Sequence, residues 1–149
     1  SEFLKNFIEE AKTIYKATRL DINLHIPDDQ IIIPGDSFYL KHVFMNLTDN
    51  AVKYGGNEVE VSISVIPGKE TTLINISDNG PGIEDKYKHK IFEKFFRIPT
   101  GDIHEVKGYG LGLSFVAQIM DLHNGRIEYI PSKEQGSIFR LTFPNTTIK

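Results

Sequence analysis

Two asparagines one helical turn apart, followed by a lysine, carry the first chemical signal in this sequence. They lie in D-S-F-Y-L-K-H-V-F-M-N-L-T-D-N-A-V-K-Y, residues 36–54. At about 100° per residue, Leu40, Val43, Phe44, Leu47 and Ala51 share one face. His42, Asn46, Asp49, Asn50 and Lys53 form a polar stripe beside it. Such a stripe is usually just a solvated face. Asparagine, however, is a poor helix-interior residue, because its side chain competes for backbone hydrogen bonds. Asn46 and Asn50 at i and i+4, with Lys53 at i+7, point to a bound group.

Two further stretches could touch a ligand. Asp78-Asn79-Gly80-Pro81-Gly82-Ile83 follows a strand pattern. Its carboxylate is an ionised acceptor, and its glycines let backbone approach closely. It could be a plain turn, or its carboxylate could accept the amino group of an adenine. Gly108-Tyr109-Gly110-Leu111-Gly112-Leu113-Ser114 opens a helix. It does not fit G-x-G-x-x-G, because Leu113 holds the last place and a polar segment, not a strand, precedes it. It also lacks the lysine of a Walker loop. What remains is a helix start whose N–H groups could face an anion.

The elements that must position these residues are legible in part. Asp36 is a favourable N-cap for the Asn46 helix, and Gly55-Gly56 a favourable stop. Leu4, Phe7, Ile8, Ala11, Ile14 and Tyr15 predict an amphipathic helix over residues 2–18. Residues 22–26 alternate as a half-buried strand ended by Pro27, with His25 on its polar side. Residues 31–33, three isoleucines, read as a short buried strand. Val59, Val61, Ile63 and Val65 alternate with Glu60, Ser62 and Ser64. After the Pro67-Gly68 turn, residues 72–77 return as the second arm of an antiparallel hairpin with one wet face. That arm runs directly into Asp78.

Residues 84–96 read as helical, at least over their second half. Residues 97–107 are polar and contain Pro99 and Gly101, the pattern of a mobile loop. Leu113, Val116, Ala117, Met120 and Leu122 mark the helix that follows, ended by Asn124-Gly125. Residues 126–130 and 137–143 are closing strands, with Gly136 at their turn. Strands and helices come in separate runs with an antiparallel signal. The expectation is one α+β domain over residues 1–149: a two-layer sandwich, with a mixed, mostly antiparallel sheet of about five to seven strands on three main helices.

Composition excludes several classes. The chain has 149 residues, 40% hydrophobic and 25% charged, which suits a globular domain with a sizeable core. A net charge of −3 argues against a nucleic-acid platform. The absence of cysteine excludes disulfides and thiolate metal sites. No apolar run approaches the ~20 residues of a membrane span, and there is no secretory signal pattern.

Taken in order, the motifs resemble the catalytic, ATP-binding domain of bacterial sensor histidine kinases, which has the Bergerat (GHKL) fold. N-L-T-D-N-A-V-K-Y resembles that family's N box, and D-N-G-P-G-I its first glycine box. I-F-E-K-F-F-R resembles the F box, and G-Y-G-L-G-L-S the second glycine box. The resemblance runs from about residue 20 to 144. It implies that Asn50 coordinates Mg²⁺ and that Asn46, one turn earlier, supports the phosphate and metal region. Lys53 and Tyr54 would contact phosphates and nucleotide. Asp78 would bond the adenine amino group, with Gly80, Gly82 and Ile83 around the base. Arg97 would reach the γ-phosphate, so that Asn46, Lys53 and Arg97 act in transfer. Residues 98–107 would form an ATP lid ending in the basic Lys107. Gly108, Gly110 and Gly112 would present amides to the phosphates, with Tyr109, Leu111 and Leu113 lining that segment. An amide oxygen is a suitable hard ligand for Mg²⁺.

The resemblance also implies what lies outside this sequence. The phosphoacceptor of the family is a histidine on a separate helical hairpin, in an S/T-H-E-like context. His25, His42, His89, His104 and His123 lack that setting, and His42 and His123 read as structural or surface residues. The implied partners are a histidine-bearing dimerisation domain and a downstream response regulator, with this fragment monomeric. The implied location is the cytoplasmic part of a membrane-anchored sensor. Three alternatives compete. ATPases of the same superfold place a glutamate base one turn before the metal asparagine; Asn46 stands there and takes no proton from water near neutral pH. A serine kinase of the anti-sigma-factor type would share the fold. A nucleotide-binding module without transfer would share the site.

Overall fold

The computed structural model describes residues 2–15, 19–27, 33, 35–54, 58–94, 96, 112–131 and 136–145. Helix α1 (Glu2–Ile14) buries Leu4, Phe7 and Ala11. The rings of Phe3 and Phe7 meet Phe44 at 5.9 and 5.6 Å. Strand β1 (Arg19–His25) buries Ile22 and leaves His25 exposed. Helix α2 (Ser37–Tyr54) starts at its predicted cap: Asp36 Oδ1 accepts the N–H of Phe38 at 2.9 Å and that of Tyr39 at 3.4 Å. The predicted apolar stripe of Leu40, Val43, Phe44, Leu47 and Ala51 is buried throughout.

Strands β2 (Glu58–Pro67) and β3 (Thr71–Asp78) form the predicted hairpin, with Val61 opposite Asp78. Helix α3 (Gly112–Leu122) leads into β4 (Arg126–Pro131) and β5 (Ser137–Pro144). The sheet order is β1-β2-β3-β5-β4. Among the described residues only the β1–β2 pair is parallel, and α2 is the crossover such a pair needs. Val59, Val61 and Ile63 of β2, Ile76 of β3 and Leu141 of β5 face Val43, Leu47, Val116, Ile119 and Met120 of the helices in one buried core. Each such side chain contributes about 1.5–3 kcal/mol on burial. The architecture is the expected two-layer α+β sandwich.

Helix α3 lies antiparallel along α2. Its first residue, Gly112, sits on Asn46, where a Cβ would come 3.4 Å from Oδ1. At the far end, His123 Nε2 accepts the N–H of Asp36 at 3.0 Å, while Nδ1 faces the Ile119 carbonyl at 2.8 Å. That pairing places the ring proton on Nδ1. Asn124, at φ 59°, turns the chain out of α3, and Gly125 N–H closes on Met120 O at 2.8 Å.

Some expectations need correction. The described residues of 84–96 do not form an α-helix. They make two single 3₁₀ turns, Asp85–Tyr87 and Lys90–Phe92, with extended backbone at Glu84 and Glu93. The cause is tertiary. Ile91 is buried and Phe92 packs edge-on to Phe139 of β5 at 6.3 Å, and short turns aim both inward where local propensity alone would not. The α1 helix ends at Ile14 rather than near residue 18. Ile33, the one described residue of the isoleucine run, is in no strand. Leu122 is 76% exposed and lies outside the apolar face of α3.

Candidate functional site

The chain brings its polar motifs to one end of the sandwich. Helix α2 finishes at Tyr54, and β2 begins at Glu58. The first residues of β2 pair with the last of β3, so Val61 faces Asp78. Strand β5 starts there too, with Ser137 opposite Asp78. Asn50, Lys53 and Asp78 therefore occupy the same end. Asn46 joins them from one turn back, covered by the start of α3.

Asp78 is the half-buried acidic group of this end. Its Oδ1 accepts the N–H of Gly80 at 2.8 Å, and the backbone of Ser137 supplies a second bond. Burial raises its pKa above the ordinary aspartate value, and the two backbone donors partly offset that rise. A carboxylate has about four acceptor sites, so capacity remains for an incoming donor.

The turn after Asp78 is held from three sides. Asn79 Oδ1 accepts the N–H of Glu60 at 3.0 Å, and its Nδ2 donates to Glu58 O at 3.3 Å. Gly82 has φ +82°, and a Cβ there would lie 3.1 Å from the Gly136 carbonyl, so glycine is required. Ile83 N–H donates to the Tyr129 hydroxyl at 3.0 Å, which faces the Ile83 carbonyl at 3.3 Å. The motif is thus a rigid shelf carrying one partly satisfied carboxylate.

On α2, Asn46 and Asn50 are half-buried and Lys53 is exposed. Lys53 Nζ pairs with Asp49 Oδ2 at 2.9 Å, and Tyr15 donates its hydroxyl to Asp49 Oδ1 at 2.9 Å. Burial, then the bond to Asp49 and its charge, hold the Tyr15 phenol well above its ordinary pKa, so it stays a donor. Tyr54 is the last residue of α2. Leu113 is half-buried beside Gly112.

Among the described residues no group of three or more histidines or carboxylates could hold a metal ion. The Asn50 amide oxygen is a hard donor of the kind Mg²⁺ accepts beside waters and phosphate oxygens. Arg97, Lys107, Gly108, Tyr109, Gly110 and Leu111, with the expected lid, lie outside the described residues. The sequence reading missed Tyr129, Asn79, Ser137 and Tyr15. Asn79 lies inside a motif already singled out; the other three reach the site through pairings distant in sequence and leave no local signal.

A family model described as histidine kinase-, DNA gyrase B- and HSP90-like ATPase matches residues 35–147. The ATP-binding domain of PrrB from Mycobacterium tuberculosis is 30% identical, with 96% of this chain and 91% of that chain covered and a TM-score of 0.75. The chain belongs to this ATPase family, as a histidine-kinase catalytic domain. The kinase domain is also similar to the nucleotide-free catalytic domain of histidine kinase ThkA, at 26% identity and TM-score 0.79, covering 96% and 95% of the two chains. It is 39% identical to the sensor protein RprX of Bacteroides fragilis over 117 residues, 76% of the kinase domain and 22% of RprX. The kinase domain therefore spans about a fifth of that relative's length. Nucleotide binding is the property that the family and this site share. No helix among the described residues is long and apolar enough to cross a membrane.

Proposed function

We propose that this domain binds Mg·ATP and donates the γ-phosphoryl group to a histidine on a separate dimerisation and phosphoacceptor domain, from which a response regulator is then charged. The observation that carries this reading is the shared end of the sandwich. There Asp78 offers a partly buried acceptor while Asn46, not a carboxylate, sits one turn before Asn50 under the start of α3. Asp78 accepts the adenine amino group, with Gly80, Gly82 and Ile83 against the base. Lys53 and Tyr54 meet the phosphates and nucleotide. Arg97 reaches the γ-phosphate, and residues 98–107 close over it. Gly108, Gly110 and Gly112 turn N–H groups toward phosphate oxygens, beside Tyr109, Leu111 and Leu113, and Lys107 adds charge.

Asn50 would hold Mg²⁺, with Asn46 supporting that region; the ion would supply positive charge to neutralise the phosphates. In the transfer, a histidine ring nitrogen bonds to the γ-phosphorus as the bond from the β–γ bridging oxygen breaks. That oxygen leaves with the electron pair as part of ADP. Such a loose transition state needs positioning and charge neutralisation more than covalent help. Asn46 cannot activate water as a base, which favours transfer over hydrolysis.

On this reading residues 1–149 form one domain, monomeric alone, on the cytoplasmic side of a membrane-anchored sensor. The test is calorimetric titration of Asn50→Ala with ATP, with and without Mg²⁺. Loss of the Mg²⁺-dependent part of the affinity is expected. An unchanged Mg²⁺ dependence would remove Asn50 from the metal site.

A further inference from the structure

The Tyr15–Asp49–Lys53 chain links α1 to the phosphate-facing end of α2. Both Asp49 oxygens are used: Oδ1 accepts the Tyr15 hydroxyl at 2.9 Å, and Oδ2 meets Lys53 Nζ at 2.9 Å. Tyr15 is fixed at the end of α1, where its N–H closes on Ala11 O at 3.0 Å and its ring packs against the core. Asp49 lies beside Asn50 in sequence, and Lys53 follows Asn50 by three residues, so all lie within one turn of α2. The Asp49 and Lys53 side chains are 38% and 37% exposed, enough for the ammonium to move.

We infer that Tyr15 and Asp49 are positioning residues that set how freely Lys53 can be given up to a phosphate. The inference rests on the proposed reading that Lys53 meets the nucleotide's phosphates. Without nucleotide, Asp49 is the anion that holds Lys53. When a phosphate arrives, the ammonium has two anionic claimants. The Tyr15 hydroxyl is a fixed donor to Asp49 that does not leave. It pins the carboxylate in one orientation and satisfies part of its charge, so Asp49 loses less when Lys53 turns to the phosphate. With phenylalanine at position 15, Lys53 becomes the sole side-chain partner of Asp49 in this chain of contacts. The carboxylate then competes harder against the phosphate.

The test uses ATP and adenosine as paired probes, titrated calorimetrically into the chain and its variants. Tyr15→Phe should weaken ATP binding by about three- to tenfold, the scale of one net hydrogen bond, and leave adenosine binding unchanged. In an Asp49→Asn background, where no carboxylate competes, the same change at Tyr15 should have no further effect on ATP. A merely structural role for Tyr15 would move both probes together and persist in that background. Either of those outcomes, or unchanged ATP affinity in Tyr15→Phe, overturns the inference. Lys53→Met separates the two layers. If it leaves the ATP-to-adenosine affinity ratio unchanged, the phosphate role of Lys53 fails and the inference fails with it. If it lowers that ratio while Tyr15→Phe does not, only the inference fails.

Discussion

The hydroxyl of Tyr129 holds the backbone of Ile83 at both its polar atoms, 3.0 Å from the nitrogen and 3.3 Å from the carbonyl oxygen. Strand β4 thereby fixes a turn carried by β3, across the intervening β5. Tyr129→Phe keeps the ring and its contact with Phe139 at 5.7 Å but leaves those groups without this partner. A stability loss of about 1–3 kcal/mol is expected, with ATP affinity also reduced because the shelf around Asp78 loosens. Urea unfolding and calorimetric titration measure the two effects. Unchanged stability would show that the clamp contributes nothing.

Asp78→Asn should weaken ATP binding by about 10–100-fold, since it replaces a charge-assisted acceptor by a neutral one. Its effect on stability has a definite sign. Burial raises the Asp78 pKa above its unfolded value, so in the window just above about pH 4 the folded protein binds more protons than the unfolded chain. Unfolding free energy contributed by Asp78 then falls as pH rises through that window. Asparagine does not titrate. The stability of Asp78→Asn relative to the parent should therefore rise from acid toward neutral pH and level off once Asp78 is ionised. Denaturation curves at a series of pH values check this, and a relative stability that falls with rising pH would contradict it.

Gly82→Ala tests the shelf from the other side. With φ at +82° and the Gly136 carbonyl 3.1 Å from the new methyl position, alanine meets both backbone strain and a tight contact. The left-handed conformation alone costs about 1–2 kcal/mol. Thermal unfolding should show at least that loss, and nucleotide affinity should drop with it.

His123→Ala provides the contrasting case. His123 joins Asp36 to Ile119 at the end of the α2–α3 pair away from Asn46. Its loss should lower stability by about 0.5–1.5 kcal/mol per hydrogen bond removed and leave ATP affinity at the parent value. A large change in affinity would show that the α2–α3 packing is felt at the site.

What could be read from the sequence follows from how local each signal is. The α2 stripe is periodic, and every residue assigned to its buried face is buried. The cap at Asp36, the β2–β3 hairpin and the Asn124-Gly125 stop are also local, and each formed where its residues indicated. The Asp78 turn was legible as a turn, because a carboxylate and two glycines at a strand end are a local signal that plain turns also carry. Residues 84–96 misled, because the burial of Ile91 and the packing of Phe92 against Phe139 are set by distant partners. Tyr129 and Tyr15 were silent for the same reason: each looks like an ordinary core aromatic until Ile83 or Asp49 is found beside its hydroxyl. The parallel pairing of β1 with β2 depends on the α2 crossover, which no single segment encodes.

The central claim is a division of labour: this domain positions ATP, and a histidine elsewhere takes the phosphate. It is tested most directly by following the γ-phosphate of labelled ATP on this chain alone, then with a histidine-bearing helical hairpin from a sensor kinase added. Slow phosphate release by the chain alone, with label accumulating on the hairpin histidine when it is present, is the expected result. Rapid hydrolysis by the chain alone, with no label reaching the hairpin, would contradict it and make the domain an ATPase.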